Sequence, residues 1–95
     1  MPELQQLIQD ALALTLGQEK RYYIGQSLLL VEFDQLARSN ATNLYVQAYR
    51  IRPEWTQLFC EKFRPGRWSP EVDEVLLTGL LQAGLAAVQA ESEVR

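Results

Sequence analysis

The chain has 95 residues, 47% of them apolar and 22% charged, with a formal net charge of −3 and only 5 Gly and 4 Pro. These values fit one folded domain, exclude a low-complexity or collagen-like chain, and argue against a dedicated nucleic-acid binder, which carries a concentrated positive surface. The absence of histidine and the single Cys60 exclude His-dependent triads, Cys–His pairs, the usual zinc sites and an internal disulfide.

In chain order, Pro2 to Leu16 places Leu4, Leu7, Ile8, Ala11, Leu12 and Leu14 at helical spacing. Gly17 supplies a stop, so an amphipathic helix is predicted. Residues 18–38 (QEKRYYIGQSLLLVEFDQLAR) contain a continuous apolar run, Leu28 to Val31, that periodicity alone does not assign. Helix is preferred, because Tyr22, Ile24, Leu28, Leu29, Phe33 and Leu36 make a face and the flanks carry good helix formers. Gly25 costs about 1 kcal/mol in that helix and marks either a bend or the start of a strand at 27–33.

A polar turn at 38–43 leads into a short helix ending at Arg52, before Pro53. A strand over 44–51 is the competitor, since Tyr45, Val46, Tyr49 and Ile51 are good strand formers. Pro53 to Phe63 reads as a further helix, with Trp55, Leu58, Phe59 and Phe63 on one side and Cys60 beside them as a small core hydrophobe. Arg64–Arg67 has Pro and Gly where a type II turn wants them, and Trp68 follows, placed to pack locally against the start of the next helix.

Ser69 to Ala90 carries the clearest helix signal. Ser69 is a good N-cap, Pro70 suits the first helical position, and Glu71, Asp73 and Glu74 meet the positive end of the helix dipole. The polar stripe of this helix is narrow, while Val72, Val75, Leu76, Leu77, Leu80, Leu81, Leu85 and Val88 cover most of its circumference. Burial on several sides follows, but not in a membrane: the most apolar part, Val75 to Val88, is shorter than the roughly 20 residues a bilayer needs. Residues 91–95 read as a frayed tail.

Ala41, Tyr45, Ala48 and Pro53 stand at the spacing of the second helix of a tetratricopeptide repeat, which this hairpin resembles in that half. In the first helix only Leu28 matches, Gly25, Leu29 and Glu32 depart from the pattern, and no second copy follows. The resemblance therefore implies two antiparallel helices and not a repeat array.

The expected fold is an all-α bundle of four or five short helices with a long apolar C-terminal helix, in one domain over 1–95. The alternative is α+β, with a two-stranded ribbon at 27–33 and 44–51, which ranks lower because an isolated ribbon is only marginally stable.

Charge is uneven. Residues 1–17 hold two acidic residues, residues 18–67 hold eight basic against five acidic, and residues 68–95 hold five acidic against one basic. The basic middle is interleaved with aromatic residues, and Trp, Tyr and Arg are the types enriched in interface hot spots. Arg50, Arg52, Trp55, Arg64, Arg67 and Trp68 are therefore the candidate partner-binding residues. Leu77, Gly79, Leu81, Ala83, Gly84 and Ala87 are candidates for close helix packing or self-association. No phosphate loop, calcium loop, metal site, cofactor motif or catalytic constellation is present in the sequence.

The function expected is that of a non-enzymatic adaptor, assembly or regulatory protein in the reducing cytoplasm. It would bind another protein or itself, as a homodimer or within a hetero-complex. Nucleic-acid binding through the same arginines is the alternative.

Overall fold

A computed structural model of the chain describes residues 2–35, 42–66 and 69–93. Among these, the elements are α1 (Leu4–Leu12), β1 (Gln18–Ile24), β2 (Ser27–Gln35), β3 (Thr42–Arg50), β4 (Thr56–Phe63) and α2 (Pro70–Glu93). The strands form one antiparallel sheet in the order β1-β2-β3-β4, and both helices lie on one side of it. The fold is thus α+β, and the expected all-α bundle is overturned: residues 18–24, 27–35, 42–50 and 56–63 are strands.

The reason is a period of two on the residues that build the core. In β2, Leu29, Val31 and Phe33 face the helices, and in β3, Leu44, Val46 and Ala48 lie directly opposite them as the pairs Phe33–Leu44, Val31–Val46 and Leu29–Ala48. Phe63 and Phe59 of β4 continue the layer opposite Leu44 and Ala48. The ribbon that looked too weak to stand alone is flanked by two more strands and covered by two helices, which removes the objection to it. The likeness to a tetratricopeptide repeat falls with the helices. Tyr45 and Ala48 sit on opposite faces of β3, and Ala41 lies outside the described residues.

Glycine sets the β1–β2 connection. Gly25 has φ 59 and no other residue of the turn has positive φ, the pattern of a two-residue hairpin loop with glycine at its first central position. Gly17, expected to end α1, instead opens β1, its N–H donating to the Phe33 carbonyl at 2.8 Å. The predicted turn at 38–43 falls for the most part on 36–41, outside the described residues. Pro53 lies in the β3–β4 connection, preceded by a cis peptide bond, and does not start a helix. A bulge between Ala48 and Tyr49 lets both Leu58 and Phe59 pack toward the core.

Both terminal helices are present as expected, although α1 stops at Leu12, short of Leu16, and leaves Leu12 exposed. In α1, Leu7, Ile8 and Ala11 are buried. In α2, the Val72 N–H donates to Ser69 Oγ at 3.3 Å and the Asp73 N–H to the Ser69 carbonyl at 3.0 Å, the expected cap. Gly66, at φ 82, suits the second central position of a type II turn. No helix among the described residues is long and apolar enough to cross a membrane.

The helix α2 reaches Glu93, beyond Ala90, and packs on α1, β2, β3 and β4. Gly84 is the point of closest approach: a methyl group there would stand 3.0 Å from both Leu29 Cδ1 and Val46 Cγ1. The molecule measures 40 × 29 × 16 Å, and the thin dimension corresponds to one layer of helix on one layer of sheet.

Candidate partner-binding face of the sheet

Since both helices lie on one side of the sheet, the side chains that alternate with the core residues form a face that neither α1 nor α2 covers. The register arranges it in rows across the strands. Tyr23, Leu28 and Tyr49 form one row; Arg21, Leu30, Gln47 and Cys60 the next; Glu19, Glu32, Tyr45 and Lys62 a third; and Asp34 with Asn43 a fourth. Trp55, in the β3–β4 connection, meets Tyr49 edge to face, with ring centroids 5.7 Å apart.

This end of the face is the aromatic one. Leu28 is only 2% exposed between the two tyrosines, although it points away from the helices, while Tyr23 and Trp55 remain 64% and 65% exposed. Two exposed rings, with Tyr49 half-buried between Leu28 and Trp55, make a shallow apolar surface. The Tyr49 hydroxyl donates to Gln47 Oε1, which fixes the ring, and burial holds its phenol above the ordinary value.

The middle of the face is charged and mostly acidic. Arg21 bridges Glu19 at 3.1 Å, and Lys62 Nζ stands 5.9 Å from the centre of the Tyr45 ring. Glu32 lies directly across from Glu19 and near Asp34. Burial first, and then those two neighbours, hold its carboxyl above the usual carboxylate range. On the helix side of β1, the Tyr22 hydroxyl donates to Asp10 Oδ2 and Gln6 Nε2 donates to Asp10 Oδ1 at 2.8 Å. Those two bonds hold the Asp10 carboxyl below its ordinary value and tie α1 to the sheet.

The predicted partner-binding residues do not form one surface. Arg50 turns to the helix side, where it bonds Glu91 at 3.0 Å and Thr56 at 2.9 Å, joining β3, β4 and the end of α2. Arg52 and Trp55 are exposed at the start of β4, and Arg64 is exposed beyond its other end, roughly 26 Å away by the rise of an eight-residue strand. Arg67 and Trp68 lie outside the described residues. Of the helix-packing candidates, Leu77, Leu81 and Gly84 face the sheet, Ala87 is half-buried, and Gly79 and Ala83 face outward.

Cys60, expected in the core, is exposed on the outer face opposite Gln47. The outer-face residues that the sequence reading does not single out are Leu28, Leu30 and Tyr49. The signal for them was the alternation of Tyr45, Gln47 and Tyr49 with Leu44, Val46 and Ala48, which separates two faces only when read as a strand. Among the described residues, no group of three or more metal-ligating side chains comes together. Comparison of the chain with protein-family models, with curated proteins and with solved structures finds no match.

Proposed function

We propose that this chain is a small non-enzymatic interaction protein, an adaptor, assembly or regulatory factor, that binds another protein through the outer face of its sheet. The observation that carries the reading is the aromatic end of that face, where Tyr23 and Tyr49 flank Leu28 in the register, Trp55 meets Tyr49 edge to face, and Tyr23 and Trp55 stand mostly in water. Rigid aromatic side chains offer a large contact area at a small entropy cost and dominate interface hot spots. The charges on the face favour protein over nucleic acid: Glu19, Glu32 and Asp34 outnumber Arg21 and Lys62, and Arg21 is already bridged. An exposed lone Cys60 suits a reducing compartment, in keeping with a cytoplasmic protein.

The test is capture from native cell extract with the wild-type chain and with a Trp55→Ala, Tyr23→Ala double variant whose circular dichroism matches. Loss of a hot-spot ring costs about 2 kcal/mol or more, so a specific partner should be retained about 30-fold less well by the variant. Equal retention by both chains would remove the face from the reading. Titration with labelled single- and double-stranded oligonucleotides separates the alternative, for which binding would weaken steeply with salt.

A further inference from the structure

The aromatic end of the outer sheet face has a spacing that discriminates among the shapes a partner can present. Tyr23, Leu28 and Tyr49 form one row across β1, β2 and β3. Adjacent strands lie about 4.8 Å apart, so the two tyrosines stand about 9.6 Å from each other at the backbone, with the buried Leu28 as the floor between them. Trp55 extends the row, its ring 5.7 Å from that of Tyr49. The apolar surface is therefore a narrow ledge running across the strands. About 6.8 Å along them the next row begins, with Arg21 exposed and Gln47 half-buried. The ledge lies at the end of the sheet that carries the β1–β2 turn and the β3–β4 connection, both within the described residues.

A polyproline II segment keeps step with this ledge. It repeats every three residues at about 3.1 Å each, a pitch of about 9.3 Å, so residues one turn apart meet Tyr23 and Tyr49. An extended strand presents one face every 6.8 Å or so and falls out of step, and its backbone seeks a sheet edge where this row crosses three strands. An α-helix, at least about 10 Å wide with its side chains, would spread its apolar stripe over Arg21 and Gln47. Pyrrolidine rings stack on exposed Tyr and Trp faces, and a chain already held extended by proline loses little entropy on docking. Its carbonyls, unbonded within the segment, accept from exposed donors such as the Trp55 indole N–H.

Charge selects what flanks the prolines. Four residues farther along the same face, Glu19 and Glu32 lie opposite each other on β1 and β2, about 14 Å from the aromatic row. Arg21 is committed to Glu19, and neither Glu32 nor Asp34 holds a salt bridge among the described residues. Burial, and then the like charges of Asp34 and Glu19, disfavour the ionised Glu32, so a cation arriving beside it is favoured. At the Trp55 end, Arg52 and Glu54 are exposed with one charge of each sign and express no preference. On the reading that the outer sheet face binds a protein, we propose that its occupant is a proline-rich segment in the polyproline II conformation. It lies across β1 to β3 over Tyr23, Tyr49 and Trp55, with a basic residue just past the prolines at the Tyr23 end, turned toward Glu32.

The test is calorimetric titration of the full chain with blocked nonaproline peptides that carry two arginines at the N-terminal or at the C-terminal end. One of the two should bind with a dissociation constant between about 1 μM and about 1 mM, and a peptide with Gly and Ser in place of the prolines should not bind. Trp55→Ala, with matching circular dichroism, should weaken binding about 30-fold or more. Glu32→Gln should weaken the arginine-flanked peptide about 2–5-fold and leave plain nonaproline unchanged. No binding of either peptide at about 1 mM, equal binding of the Gly–Ser peptide, indifference to Trp55→Ala, or equal binding with glutamates in place of the arginines would each overturn the proposal. Where the peptides fail but the Trp55→Ala, Tyr23→Ala variant still loses its partner from extract, the face binds a protein of another shape and only the proline-rich occupant falls. Retention of the partner by that variant would remove the face itself.

Discussion

Gly79 and Gly84, five residues apart on α2, respond in opposite ways to an added methyl group. Alanine at either position gains about 1 kcal/mol of helix propensity. At Gly79 nothing opposes it, so Gly79→Ala should stabilise the chain in dilute solution by that amount, read as a higher urea midpoint. At Gly84 the methyl group pushes on Leu29 and Val46, both fully buried, and overpacking of this kind costs about 1–3 kcal/mol. Gly84→Ala should therefore be neutral to about 2 kcal/mol destabilising, and a gain equal to that of Gly79→Ala would show that the helix does not rest on the strands there.

Glu32 provides a second test on a single side chain. Its folded-state carboxyl binds a proton more readily than the unfolded one, so its contribution to stability is complete below the unfolded value of about 4.3 and is lost as pH rises through the raised folded value. Glu32→Gln, which cannot ionise, should raise the urea midpoint at pH 7 and change it much less near pH 4. A larger gain at the acid end would contradict the assignment.

At the scale of elements, the helices at both ends are legible, β2 and β3 only as the lower-ranked ribbon, and β1 and β4 not at all. The cause is that a spacing of four residues keeps side chains on one face in both a helix and a strand. Leu29 with Phe33, Tyr45 with Tyr49, and Phe59 with Phe63 satisfy either period. The residues that discriminate are those two apart, Leu29–Val31–Phe33 and Leu44–Val46–Ala48. In β2 that signal is masked because Leu28 and Leu30 on the outer face are apolar as well, giving the unbroken run of a strand half-covered on both sides.

The same masking hid the candidate site, since the outer face has no existence until the strands do. By contrast, Ser69, Pro70 and the acidic first turn fix the start of α2 through local chemistry alone. Gly25, which the sequence offers either as a bend in a helix or as the mark of a strand starting at 27, lies in the hairpin turn just before Ser27. With φ at 59, Gly25→Ala should destabilise the chain by about 1–2 kcal/mol, measured as a fall in urea midpoint, whereas a helix bend would have gained from alanine.

For the whole molecule, one layer of helices on one sheet divides the surface into two working sides. The outer sheet face presents rings and mixed charge, and the outer side of α2 presents small apolar residues in a regular repeat. A helix apolar on two opposite sides explains the scarcity of polar positions on α2 noted in its sequence. One side closes the core, and the other is exposed.

The meander order of the strands also has a meaning in time. Each strand pairs only with its chain neighbours, so the sheet can assemble in step with synthesis, one strand after another. Its inner face, with Leu29, Val31, Val46 and Phe59, nevertheless waits for the thirty residues from Arg64 to Glu93 before α2 can close over it. At about 5–20 residues per second, those thirty residues take about 1.5 to 6 s to synthesise, and the surface that α2 will cover waits at least that long for its cover.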